Sequence, residues 1–385
     1  MDRGRGGRGR GNAWRNNSRG YHNGQSNTRN SNPQRPHDDQ HQGSGGRGRG
    51  RGRGGIGGGF SRGNFKTPMP SRMELMASVS RSSGLERDGD DLKNYNIQQE
   101  YREFIQGKLD GFSKRYPLEI RSADKQRIEA QENLLILFRK LREGVYASKR
   151  RDEFALEVYE TSFYLSIIFN SAKQIAAVMN HLVPGTYESV TCPKPLCRPT
   201  IVLSLLYHLV ASYPSQTTYH HHLRSISDEL LPRRSNAHNW IRSLASALRT
   251  RNYSKFAQLY KKQSMSMIFE DTEKDTLGLD ALSISQAQSS KQLAKIAILA
   301  VLDDLRSRAR DTAWTVLRSA YREFSCDANS ESTKTWLSRT LSLQPLLVTD
   351  DRTWTAEGWL EDRATHGHTR RKEGVEGRWI VCKVR

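Results

Sequence analysis

From about Leu92 onward, apolar side chains recur at the spacing of an α-helix. Tyr101, Phe104, Ile105, Leu109, Phe112 and Tyr116 fall at i, i+3, i+4, i+8, i+11 and i+15, which gathers them on one face. Pro117 follows and ends the run, because it has no amide hydrogen with which to continue a helix. The same period predicts a second helix over about 124–146, carried by Ile128, Leu134, Leu135, Phe138 and Leu141. An antiparallel pair is expected over 151–169 and 171–183, closed by Pro184-Gly185. Residues 186–200 hold Pro193, Pro195 and Pro199 and read as a loop. Helices are then expected at about 200–212, 219–230, 236–250 and 253–262, followed by a polar gap over 263–288. Ser289 or Ser290 reads as the cap of a helix whose face is Leu293, Ile296, Ala297, Ala300, Val301 and Leu305. A further helix follows, with Ala313, Val316, Leu317, Ala320, Tyr321 and Phe324.

The last ~55 residues change character. A short helix (about 331–341) precedes Pro345, and glycines appear at 358, 367, 374 and 377. Arg378-Trp-Ile-Val-Cys-Lys-Val-Arg385 is rich in β-branched and aromatic residues and reads as a strand. The expected fold class is mainly α: a helical-repeat stack over 93–330, ending in a winged-helix subdomain over 331–385.

The first 72 residues are of another kind. They hold 19 of the 30 glycines, and 14 Arg and 1 Lys against 3 Asp, a balance of +12 out of the chain's +20. Two Arg-Gly blocks, Arg3–Gly11 and Gly45–Gly59, flank an Asn/Ser/Gln/His-rich stretch. Such a segment cannot bury enough apolar surface to offset chain entropy, so 1–72 is expected to be a disordered Arg-Gly-rich tail, with 73–92 a polar linker. Its arginines Arg3, Arg5, Arg8, Arg10, Arg47, Arg49, Arg51 and Arg53 offer charge, planar donor forks and stacking faces on a supple backbone. That chemistry suits RNA, bound with little sequence preference and strong salt dependence. The spacing of Gly52, Gly54 and Gly57 mimics a dinucleotide fingerprint, but neither strand nor helix frames it.

A second basic cluster closes the chain. Arg370, Arg371, Lys372, Arg378, Lys383 and Arg385 face Glu373 and Glu376 over 368–385, a balance of +4. If 369–377 is a turn between strands, several of these bases share one edge and can meet phosphates. A third group, Arg233, Arg234, Arg242, Arg249, Arg251, Lys255, Lys261 and Lys262, reads as the solvated side of amphipathic helices.

Catalytic and metal chemistry find little support. No Gly-x-Ser-x-Gly or His-Glu-x-x-His occurs. Cys192 and Cys197 lack a second close pair of ligands, and the four scattered cysteines form no disulfide framework. Glu157 and Glu160 share a helical face and read as surface or inter-helix contacts. The longest apolar stretch, about Ile201–Ala211, is too short to span a bilayer. No cofactor, metal or membrane partner is expected.

Residues 154–162, FALEVYETS, resemble a segment of the GANP-type family of germinal-centre-associated nuclear proteins and their yeast mRNA-export relatives. They are most similar to its shorter branch, which includes the leukocyte-receptor-cluster protein and its yeast transcription-elongation counterpart. Residues 240–260, WIRSLASALRTRNYSKFAQLY, resemble the family's alanine-rich helix followed by Asn-Tyr and an aromatic-Leu-Tyr helix, and 293–324 resembles its helix pair entering the winged helix. The likeness covers roughly 95–385. It implies a PCI-type right-handed helical stack with a terminal winged helix. It also implies pairing with a second PCI-domain protein through the winged helices, and a small acidic PCI-binding partner. The implied work is nuclear, with shuttling or nuclear-pore association: transcription-coupled mRNA processing or export, on RNA and on DNA at transcribed genes. The competing expectation is a subunit of the proteasome lid or signalosome type, acting through protein contacts alone.

Overall fold

The chain divides after Lys66 into two units, Met1–Lys66 and Thr67–Arg385. The computed structural model describes residues 72–81, 90–121, 124–182, 194–265, 268–269, 281–327, 329–349 and 354–383. The tail expected over 1–72 therefore falls, up to Ser71, outside the described residues. Among the described residues the protein is mainly α, with thirteen helices and five short strands.

After a single turn, α1 (Arg72–Leu75), come α2 (Tyr95–Arg115), α3 (Lys125–Ala147), α4 (Glu153–Ile168) and α5 (Ala172–His181). Then follow α6 (Lys194–Ala211), α7 (Thr217–Ser225), α8 (Asn236–Arg249), α9 (Tyr253–Leu259) and α10 (Lys262–Met265). A 40-residue helix, α11 (Ala281–Ala320), leads into β2 (Glu323–Ser325), α12 (Glu331–Thr340), α13 (Ala356–Thr365), β4 (Thr369–Arg371) and β5 (Arg378–Val381). β1 (Ile120–Arg121) and β3 (Val348–Thr349) form a small parallel pair.

The helix starts follow from local chemistry. Asn94, Asp124, Asp152, Ser235, Asn252 and Thr355 each cap a helix by accepting a bond from a first-turn amide. Four ends share one device, in which Lys149, Asn170, Arg251 and Ser342 adopt positive φ just past the helix. The next amide then reaches back to the last turn: Arg150 to Val145, Ser171 to Ser166, Asn252 to Ala247 and Leu343 to Ser338. Three of these reversals join α3 to α4, α4 to α5 and α8 to α9 through very short connections.

Several expectations are corrected. The proline-rich loop ends earlier, because α6 begins at Lys194 and contains Pro195 and Pro199. Pro195 sits in the first turn, where amides have no partner to lose, and Pro199 costs one bond in a helix otherwise held by its buried run Ile201–Leu206. The helix expected to reach 230 stops at Ser225. The polar gap ends at Ala281 rather than at a Ser289 or Ser290 cap, and the two helices expected beyond it are one. No glycine or proline interrupts Ala281–Ala320, so nothing breaks it. Phe324 lies in β2, not in a helix. Arg370 and Arg371 lie in a strand, which confines the expected 369–377 turn to the residues after Arg371.

α4 is buried all round from Ala155 to Ile168, apart from Glu157. It packs between α3, α5 and α11, and α11 also lies along α6. Within the segment read as a linker, Met76 and Leu92 are buried against this core. The turn at Asp91–Lys93 can approach α3 because residue 144 is glycine; a Cβ there would lie 2.6 Å from the Leu92 carbonyl oxygen. Buried Arg150 bonds Asp152 at 2.7 Å and Gln98 at 3.2 Å and lies between the Tyr95 and Phe154 rings.

Midway along α11, where the segment before α13 crosses it, lies a buried polar knot. Asp303 (5% exposed) accepts from Tyr260 Oη at 2.5 Å, Arg306 Nε at 3.1 Å, and the backbone amides of Leu346 and Leu347 at 3.0 and 3.1 Å. Arg306 (8% exposed) donates on to the carbonyls of Ser342 and Leu343. Burial first, then the Asp303 charge, hold the Tyr260 phenol well above its ordinary range.

Removing the carboxylate leaves a buried guanidinium and two buried amides without their acceptor. Asp303→Ala is expected to cost about 3–5 kcal/mol of stability, read as a lower denaturant midpoint; a loss under about 1 kcal/mol would show the knot to be dispensable.

A histidine pair gives a second test. The His222 ring lies 4.4 Å from that of His208, tilted by 48°, and meets Ser204 Oγ at 2.9 Å through Nε2. Burial, then His208 and His221, pull the His222 pKa down to about 4; burial and His221 lower His208. The unfolded chain, with histidines near about 6.5, binds protons more readily, so stability is full above that value and falls as pH drops toward 4. His222→Gln should flatten the fall in melting temperature between pH 6.5 and 4; an unchanged slope would contradict it.

Candidate nucleic-acid interface

The terminal lobe is a three-stranded antiparallel sheet in the order β2-β5-β4, covered on one face by helices. Its core is aromatic: Trp314 from α11 sits edge-on to Trp359, near Phe324, and Trp379 is buried. α11 also grips the end of the chain, where Arg318 donates to the Cys382 carbonyl at 2.9 Å and to that of Lys383 at 3.2 Å. Gly377 (φ +71°) lets the β4-β5 turn press against Asp327, since a Cβ there would lie 2.5 Å from the Asp327 Cα. The Cys326 amide then bonds the Gly377 carbonyl at 2.7 Å.

Alternation along the strands sorts the basic residues between the two faces. Thr369 and Arg371 face the helices: Thr369 donates to the Leu360 carbonyl, while Arg371 pairs with Glu361 and lies over the Trp379 ring. Arg370, Lys372 and Arg378 share the outer face with Glu323 of β2. Glu323 accepts from Lys372 at 2.9 Å and from Arg378 at 3.2 Å. The Lys372 hydrogen bond first, then its charge and that of Arg378, lower the Glu323 pKa.

Of the C-terminal bases expected from sequence, Arg370, Lys372 and Arg378 share one face, Arg371 lies on the other, and Arg385 lies outside the described residues. Arg371, Lys372 and Arg378 have acidic partners, whereas exposed Arg370 and Lys383 have none among the described residues. Adding Glu323 and Glu361 to the 368–385 window turns six bases against two acids into six against four, a balance of +2. Sequence reasoning missed both acids because they precede the window. On the helical side of the lobe Glu357, Glu361 and Asp362 of α13 are each paired with a base, Lys334, Arg371 and Arg363.

The tail residues Arg3, Arg5, Arg8, Arg10, Arg47, Arg49, Arg51 and Arg53 lie outside the described residues, as does Cys192. Glu157 is paired with Arg102 at 2.7 Å, and Glu160 accepts from Thr200 at 2.6 Å, so both join helices. Among the described residues no three potential metal ligands gather, and no helix is long and apolar enough to cross a membrane.

If the outer face meets phosphates, Glu323 is its brake. Glu323→Gln should tighten RNA binding severalfold and steepen its salt dependence, measured by fluorescence anisotropy across a salt series; weaker or unchanged binding would remove this face from the interface. In comparisons with known proteins, no family model, no curated protein and no solved structure matches this chain.

Proposed function

We propose that the chain is a non-enzymatic nuclear scaffold with RNA-binding capacity, acting in transcription-coupled mRNA processing or mRNA export. The observation that carries this reading is the division of charge and composition: +12 and 19 glycines in residues 1–72, against +8 spread over the rest. An arm of that composition tracks an irregular phosphate backbone, while a helical body of ordinary composition holds other proteins.

Two structural features support the finer part. Apart from β3, which pairs with β1, the lobe runs helix, strand, helix, helix, strand, strand, with the first strand beside the last, the order of a winged helix. Antiparallel helices with short connections (α3 to α5, α8 to α9) suit a PCI-type stack. On this reading a second PCI-domain protein docks on the lobe and a small acidic protein on the helical body. Glu157 and Glu160 already serve helix contacts, which favours a scaffold over an acid-base catalyst.

The tail tests the RNA assignment. Replacing Arg3, Arg5, Arg8, Arg10, Arg47, Arg49, Arg51 and Arg53 by glutamine should weaken binding of single-stranded RNA about tenfold near physiological salt and flatten the salt dependence, without moving the melting temperature of the folded unit. Unchanged affinity would refute the tail assignment. Co-purification separates the competing reading: RNA-processing factors support the scaffold, and proteasome-lid or signalosome subunits support the alternative.

A further inference from the structure

Several arginines of the helical body are paired with acids: Arg102 with Glu157, Arg150 with Asp152, Arg306 with Asp303, and Arg233 with Asp228. One concave place gathers bases without an acid. A groove of about 410 Å³ between α7, α8 and the start of α9 is lined by Arg242, Arg249 and Lys255 and by no carboxylate. None of the three bases has an acidic partner among the described residues. The sequence places them there for a simple reason. Trp240, Ile241, Leu244 and Leu248 turn one face of α8 into the core, so Asn239, Arg242, Ser246 and Arg249, at i, i+3, i+7 and i+10, share the opposite face. At 1.5 Å of rise per residue, Arg242 and Arg249 start about 10 Å apart along the helix.

The rest of the lining is equally directed at an anion. Asn239, Ser243 and Ser246 supply neutral donors. Tyr219 is fully buried (0% exposed) at the groove wall, and its hydroxyl has no hydrogen-bond partner. A buried hydroxyl in that state retains an unused donor. The half-buried His220 ring lies edge-on to Tyr219, 5.0 Å away, and adds an aromatic face of the kind on which bases stack. Gln216 fixes the start of α7 to α8 through the Ala245 carbonyl at 2.7 Å, so the wall is preformed.

We propose that this groove is a phosphate-binding site for single-stranded RNA, with Arg242 and Arg249 each meeting a separate phosphate and Lys255 adding a third positive charge. The inference rests on the reading of the chain as RNA-associated, and it assigns the folded body a contact separate from the tail and from the terminal lobe. Positive charges beside neutral donors and the half-buried His220 ring suit a nucleic-acid strand, whose phosphates and bases match both.

The test uses the full chain with two probes, a fluorescent oligouridylate and inorganic tripolyphosphate. Arg242→Gln/Arg249→Gln should weaken oligouridylate binding about tenfold and lower the slope of log affinity against log salt by about 1.4, roughly 0.7 for each phosphate contact on a single strand. Arg242→Lys/Arg249→Lys should restore the slope. Tripolyphosphate should raise the melting temperature of the unaltered chain and not that of the glutamine variant, whose own melting temperature without ligand is expected to be unchanged. If oligouridylate binding falls with the tail arginines but ignores the groove variant, the groove assignment is overturned and the RNA reading stands. If the chain binds no oligouridylate yet tripolyphosphate still stabilises it through Arg242 and Arg249, the RNA ligand is overturned and a phosphate site remains. Stabilisation by poly-glutamate and not by tripolyphosphate overturns the phosphate assignment as well.

Discussion

The geometry of the folded unit depends on one buried carboxylate. Asp303 lies within a 40-residue helix and collects a phenol, a guanidinium and two backbone amides. Those partners come from α9, from α11 itself and from the segment that links α12 to α13. An isolated charge at that depth would be untenable; with four donors it becomes a clamp that works only when all the pieces are in place. The clamp fixes where the chain leaves the helical body. The same helix then runs on to carry Trp314 into the lobe core and Arg318 onto the last strand. One rigid element therefore joins the two halves of Thr67–Arg385.

Arginine plays two opposite parts. Some body arginines are structural side chains, desolvated against aromatic rings and paired with acids, as with Arg102 over Phe138 and Arg150 between Tyr95 and Phe154. Arg310 and Arg363 both lie over the Trp359 ring in the same way. Such residues contribute charge to a composition count and little to the outside field. Arg242, Arg249, Arg370 and Lys383 do the reverse.

Much of the helical body was legible because apolar residues such as Tyr101, Ile105, Leu109 and Phe112 recur at helical spacing, whereas the single cap read from sequence, at Ser289 or Ser290, falls inside α11. The ends were less legible. Lys149, Asn170, Arg251 and Ser342 turn the chain in a conformation usually signalled by glycine, and none of them is glycine. Pro199 suggested a break that tertiary burial overrides. The unbroken α11 was split in two because its polar central stretch, Arg306–Asp311, interrupts the apolar stripe while leaving the backbone free to continue. At the interface, the charge window over 368–385 located the basic residues, but Glu323 and Glu361 reach them through folding, which a local count cannot register. The groove bases were visible as a list; that Arg242, Arg249 and Lys255 share one concavity without an acid was not.

The account stands on a polyanion meeting this protein at particular basic places. Ultraviolet cross-linking of the full chain to RNA, followed by mass spectrometry of the linked peptides, reads those places directly. Adducts concentrated in the Arg-Gly segments, in 219–255 and in 369–383 are the predicted result. Adducts spread evenly along α2 to α5, or none at all, would contradict it.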